Sequence, residues 1–245
     1  MESTGRMKSN VNRSWLMWWV LANVVALPIL LIPEGVGGFL LGMFSAMTDG
    51  MPIGVIGYVI VLIILSFSGF FIGAWLGFWQ WLVLRKQTPR VGKWVLRSSI
   101  GVAIGAPISW LVYLAIFASP IVNRSDGIYF SYWYGYLAFG IFLGLPIGVS
   151  QWLTLRQLFN RAELWIATLP ICFTLGISFA NFYFVTDKFD LLIKRLAAQL
   201  PGTSNIQVLG FFAILSGLTA LIGVGLITGL LLDWLSRVQQ KQNAM

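Results

Sequence analysis

Apolar residues run along this chain in blocks much longer than a soluble helix would bury, and polar residues collect between the blocks. About 20 apolar residues are needed to cross a hydrocarbon core of about 30 Å. Six segments approach or exceed that length: 15–32, 53–84, 94–119, 135–155, 164–185 and 206–234. The pattern predicts an all-α fold, an integral membrane helical bundle of about six transmembrane helices. They form one transmembrane domain over 15–235, between a cytoplasmic N-terminal tail (1–14) and a cytoplasmic C-terminal tail (236–245). The second segment holds 32 residues. That is too long for one upright helix and predicts a tilt, a break near 66–69 or an interfacial start. A Gly-rich piece at 35–47 either extends the first helix past Pro33 or re-enters the membrane. After the fifth span, Phe189, Leu192, Ile193, Leu196 and Leu200 recur at helical spacing ahead of Pro201-Gly202. This predicts a short amphipathic helix, lying in the outer interface or capping the bundle.

Composition agrees with that pattern. Charged residues make up 10% of the 245, hydrophobic ones 58%, and the mean hydropathy is +0.83. A soluble domain carries about 25% charged residues, so this chain cannot cover a water-facing surface. The first span follows Arg6, Lys8 and Arg13, as a signal peptide would. It is rich in bulky Trp, however, and ends without a small-residue cleavage site, so a retained helix is expected.

Charge then orients the bundle. With the N-terminus inside, the inner segments hold Arg6, Lys8, Arg13, Arg85, Lys86, Arg90, Lys93, Arg97, Arg156, Arg161, Arg237 and Lys241, twelve of the sixteen basic residues. The outer loops hold Arg124, Lys188, Lys194 and Arg195. This three-to-one bias favours six spans with both termini cytoplasmic. It also accounts for the net charge of +8 without invoking nucleic acid, and gives the inner face an affinity for anionic headgroups.

The chain also repeats itself. Residues 69–105 align with 140–176 without a gap, at an offset of 71. Matched pairs include Gly69/Gly140, Gly73/Gly144, Gly77/Gly148, Gln80/Gln151, Trp81/Trp152, Arg85/Arg156, Trp94/Trp165 and Gly105/Gly176. Weaker echoes appear at Trp18-Trp19-Val20-Leu21 and at Gly225, Gly229, Asp233-Trp234-Leu235 and Arg237. The chain therefore reads as parallel two-helix hairpin repeats, roughly 15–84, 94–155 and 164–234. Each begins with a Trp near the inner face and leaves through a Gly-rich helix that ends in Trp and Arg. Repeats of two spans share one orientation and are related by an axis along the membrane normal; a quasi-threefold ring is one arrangement.

The repeated residues are candidates for helix packing or interaction. Gly69, Gly73 and Gly77, like Gly140, Gly144 and Gly148, lie four apart on one helix face. Such a stripe lets backbones approach closely in lipid, or forms a groove for a flat ligand. Gln80 and Gln151 can hydrogen-bond a neighbouring helix. Trp81, Trp152, Trp94 and Trp165 read as an interfacial aromatic belt, with Arg85 and Arg156 reaching to phosphates.

Reactive chemistry is sparse. There is no histidine and one cysteine, Cys172, so neither a metal site nor an intrachain disulfide is expected. None of the eight acidic residues falls at mid-membrane on this topology, where coupled carriers keep a carboxylate. Paired carboxylates, phosphate loops and nucleophile elbows are absent from the sequence. No enzyme activity and no cofactor are expected, although twelve Trp leave a pigment- or quinone-binding subunit as a weaker alternative.

Gln80-Trp81-Leu82-Val83-Leu84-Arg85 and Gln151-Trp152-Leu153-Thr154-Leu155-Arg156 are each followed, nine residues after the Arg, by Trp94 or Trp165. This motif resembles a set of uncharacterised bacterial, mainly cyanobacterial, polytopic membrane proteins with repeated QWLxLR motifs. The resemblance covers the second to fifth spans. It implies a bacterial source and a cell inner (plasma) or thylakoid membrane, and brings no catalytic or binding residues. Three two-helix repeats also suggest the mitochondrial carriers, but that family's Pro-x-acid-x-x-basic signature is missing from the matching helices. The sequence leads to a non-enzymatic multi-pass protein acting through interactions, as an assembly factor, accessory subunit or scaffold. Its expected partners are the lipid bilayer and a membrane protein or further copies of itself. The alternative is a small pore or carrier for an uncharged or lipidic substrate.

Overall fold

The computed structural model describes residues 13–25, 55–86, 91–117, 128–182, 194–195 and 205–243. Six helices organise them: α1 (Arg13–Val24), α2 (Val55–Leu84), α3 (Trp94–Phe117), α4 (Ile128–Leu155), α5 (Leu164–Phe182) and α6 (Asn205–Asn243). Among the described residues there is no strand. In a bilayer this follows from backbone chemistry, because a helix satisfies its own N–H and C=O groups where no water can. Four helices are long and apolar enough to cross a membrane over Gly57–Leu84, Trp94–Ile116, Tyr134–Leu155 and Gly217–Gln242. The apolar part of α5, Leu164–Ser178, is shorter.

Each helix packs on its neighbours in chain order, and α6 returns to pack on α1, closing a ring. Glycines set the seams. An added Cβ at Gly73 would lie 2.5 Å from the Ser98 carbonyl oxygen of α3, and one at Gly144 would lie 2.6 Å from Pro170 Cα of α5. Between α3 and α4, a Cβ added at Gly101 would lie 2.7 Å from Ile147 Cα. Any side chain at these places would push two backbones apart. Pro107, Pro146 and Pro170 sit inside α3, α4 and α5. Neighbouring helices make such prolines tolerable in a membrane bundle.

Two expectations are sharpened. The second span does not break near 66–69: α2 is one helix of 30 residues, about 45 Å long, which leaves a tilt or an interfacial start of the three alternatives. Ser68 Oγ donates to the Ile64 carbonyl at 2.8 Å, a bond that keeps the hydroxyl within the helix. The segment expected as a C-terminal tail instead continues α6 to Asn243, making it 39 residues long. That extension docks on the turn between α4 and α5, where the Asn160 backbone N–H donates to Gln239 Oε1 at 3.0 Å and Asn160 Nδ2 to Gln242 Oε1 at 2.7 Å. The 35–47 piece lies outside the described residues, as does the 187–200 helix apart from 194 and 195.

Candidate functional site

Most of the buried polar residues, Ser109 and Ser178 apart, gather near the end where α2, α4 and α6 finish and α1, α3 and α5 begin. Trp94 Nε1 donates to Gln80 Oε1 at 3.1 Å, and Trp165 Nε1 donates to Gln151 Oε1 at 3.0 Å. An indole N–H can only donate, so it sets the orientation of each amide and turns the amide nitrogen the other way. Gln80 Nε2 donates to Asn23 Oδ1 at 3.0 Å. Gln151 Nε2 donates to Ser98 Oγ at 2.9 Å and, more weakly, to Gln80 Oε1 at 3.4 Å.

One rule generates both latches. An incoming helix opens with a Trp, and the Trp donates to the Gln of the outgoing helix before it. That Gln donates to the residue four places after the Trp of the preceding incoming helix. Asn23 follows Trp19 by four and Ser98 follows Trp94 by four, so each shares a face with its Trp.

At the third junction the rule fails. Positions 80–85, 151–156 and 232–237 bury alike, from a buried first residue to an exposed Arg at the end, which places Leu232 where the glutamines stand. Four after Trp165 comes Leu169. Neither leucine can bond, and Trp19 Nε1 donates instead to Thr228 Oγ1 at 3.0 Å, one turn higher on α6. Thr228 in turn donates to the Val224 carbonyl at 2.6 Å.

The three latch tryptophans come from alternate helices of the ring, so they can meet only across its interior. Ring centroids lie 6.4 Å apart for Trp19–Trp94 and 6.2 Å for Trp94–Trp165, both edge to face. All three are 0% exposed. This corrects the interfacial-belt reading of Trp94 and Trp165, which fill the axis. Trp81 and Trp152 are half-buried at the rim, with the Arg85 guanidinium 4.7 Å from the Trp81 ring and that of Arg156 5.0 Å from the Trp152 ring.

Beside the latch layer is a cavity of about 60 Å³ to which all six helices contribute. Its walls are apolar, including Leu76, Val102, Ile147, Phe173 and Val224, and Asn23, Gln80, Gln151 and Thr228 supply polar atoms. This volume would take a few waters and is under half of the roughly 150 Å³ that admits benzene.

The candidate glycines all lie in seams of this chain. Gly69, Gly73 and Gly77 face α3, and Gly140, Gly144 and Gly148 face α5. Trp19, Asn23, Ser98 and Thr228 were not among the sequence candidates. For Asn23 and Ser98 the signal was a polar residue four after a repeated Trp, too short a pattern to stand out alone. No family model, no curated protein and no solved structure matches this chain.

Proposed function

We propose that this is a non-enzymatic multi-pass membrane protein that acts through interactions, as an assembly factor, accessory subunit or scaffold. One observation carries the reading. The buried amides, indoles and hydroxyls at the axis are engaged with one another as latches between helices. Groups otherwise suited to handle a passing substrate thus hold the ring shut, and the molecule meets its surroundings through its outward faces. The outward face of α2 is notably aromatic, with Phe67, Phe70, Phe71 and Phe78 exposed. Self-association, where it occurs, would use such surfaces, since the glycine stripes of α2 and α4 are occupied within the chain.

Of the described basic residues, Arg85, Lys86, Lys93, Arg97, Arg156, Arg161 and Arg237 collect at or near the ends where α2, α4 and α6 finish, whereas Lys194 and Arg195 lie in the connection between α5 and α6. Read with the positive-inside rule, this supports cytoplasmic termini; a bacterial inner or thylakoid membrane rests on the resemblance of the repeated QWLxLR motifs alone. Affinity purification from the native membrane in mild detergent, with crosslinking, is expected to recover a partner complex. Recovery of a lone monomer under crosslinking would overturn the proposal.

The cavity favours a second reading, a small pore or carrier for an uncharged or lipidic substrate. Passage would require Trp19, Trp94 and Trp165 to leave the axis. Solute flux into proteoliposomes, abolished by Leu143→Trp in the cavity wall, would support it. The same volume argues against a pigment or quinone ring at this place.

A further inference from the structure

Each outgoing helix ends in an arginine, and the residue four places earlier decides what that arginine does. Arg85 lies over Trp81, and Arg156 lies over Trp152. At the matching place α6 has Asp233, and Arg237 Nη2 donates to its Oδ2 at 2.7 Å. An indole face holds a guanidinium in place while leaving its charge uncompensated; a carboxylate neutralises it. Arg85 and Arg156 are exposed, and among the described residues neither has an acidic partner.

A second cation stands near each. Lys86 follows Arg85 and has its Nζ 5.8 Å from the Trp18 ring. Arg97 Nη1 donates at 2.8 Å to Thr154 Oγ1, two residues before Arg156. Both places also border apolar outer surface. Phe78, exposed, lies 6.1 Å from Trp81, and exposed Val149 precedes Trp152 by three.

We infer that the ends of α2 and α4 each bind the phosphate of an anionic phospholipid, and that Asp233 silences the equivalent site on α6. An arginine held on a half-buried indole, with a second cation next to it in the chain (Lys86) or bonded to the same helix end (Arg97), matches a phosphate diester, and the adjoining apolar surface gives its acyl chains somewhere to lie. A soluble anion would leave that surface unused.

The test is native mass spectrometry of the full chain in mild detergent, titrated with phosphatidylglycerol or phosphatidylcholine. Two phosphatidylglycerol molecules should be retained in preference to phosphatidylcholine. Arg85→Gln and Arg156→Gln, both exposed positions, should each weaken one of the two by about fivefold while the thermal midpoint stays unchanged. Asp233→Trp, which replaces the carboxylate by the indole of the other two sites, should add a third. Three results would overturn the inference: equal retention of the two lipids, a preference that survives the Arg85→Gln/Arg156→Gln double variant, or displacement by inorganic phosphate as effective as by phosphatidylglycerol. A count that stays at two in Asp233→Trp would overturn the silencing of α6.

Discussion

The α2–α3 and α4–α5 junctions and the α6–α1 junction perform the same task with different means. The first two combine a short connection along the chain, a backbone-to-backbone glycine seam and a Gln that bonds in two directions. The α6–α1 junction joins helices far apart in sequence. At Gly229 an added Cβ would meet the Leu16 side chain at 2.5 Å and the Trp19 ring at 2.8 Å. The contact at Gly229 is with side chains, which can move, and backbone is met only at Gly225, where an added Cβ would lie 3.1 Å from Val20 Cα. One hydroxyl replaces the two-way amide. A ring built by repetition thus closes on its least regular joint.

The largest effect should come from removing a two-way amide. Gln80→Leu orphans the Trp94 indole N–H and the Asn23 carbonyl oxygen; Gln151→Leu orphans the Trp165 indole and removes the partner of Ser98. At about 1–3 kcal/mol per orphaned buried group, each variant should lose roughly 2–4 kcal/mol in reversible unfolding from detergent micelles. Thr228→Val orphans one indole and should lose about half as much. Equal losses at all three sites would erase the distinction between junctions.

Glycine substitution comes next. Gly73→Ala and Gly144→Ala drive a methyl into backbone and should cost about 1–3 kcal/mol. Gly229→Ala, facing movable side chains, should cost less. Gly223→Ala faces open space and should gain up to about 1 kcal/mol from helix propensity. Thermal midpoints of the four variants side by side decide this ranking.

The smallest effect tests whether the rule can be completed. Leu169→Asn with Leu232→Gln supplies the missing acceptor and donor, and the pair should stabilise by up to about 1–2 kcal/mol. Each single change buries an amide without its partner and should destabilise. A double-mutant cycle showing no coupling would mean that positions 169 and 232 do not occupy the latch geometry.

Much of this was legible in the residues because bilayer physics acts on the chain locally. A span needs a run of apolar residues, a seam needs small residues four apart, and a repeat needs only comparison of the chain with itself. The positions of Gln80 and Gln151, and their tie to the glycine stripes, came from that level. The fate of the tryptophans did not. An indole at a helix end suits the membrane interface and the bundle axis equally well by sequence, and only the path of the neighbouring helices distinguishes them. Trp81 and Trp152 went to the rim beside an Arg; Trp94 and Trp165 went to the axis.

The sequence by itself determined that this protein is a helical membrane bundle with repeated hairpins, and it marked the glycines and glutamines that matter. Only the tertiary structure decided that the helices close into a ring, that the indoles of Trp19, Trp94 and Trp165 fill its axis, and that Leu232 and Asp233 stand where a Gln and a Trp stand elsewhere. The physical reason is distance along the chain. Periodicity and hydropathy are local quantities, whereas the Trp19–Thr228 bond joins residues 209 positions apart and forms only once four intervening helices have packed.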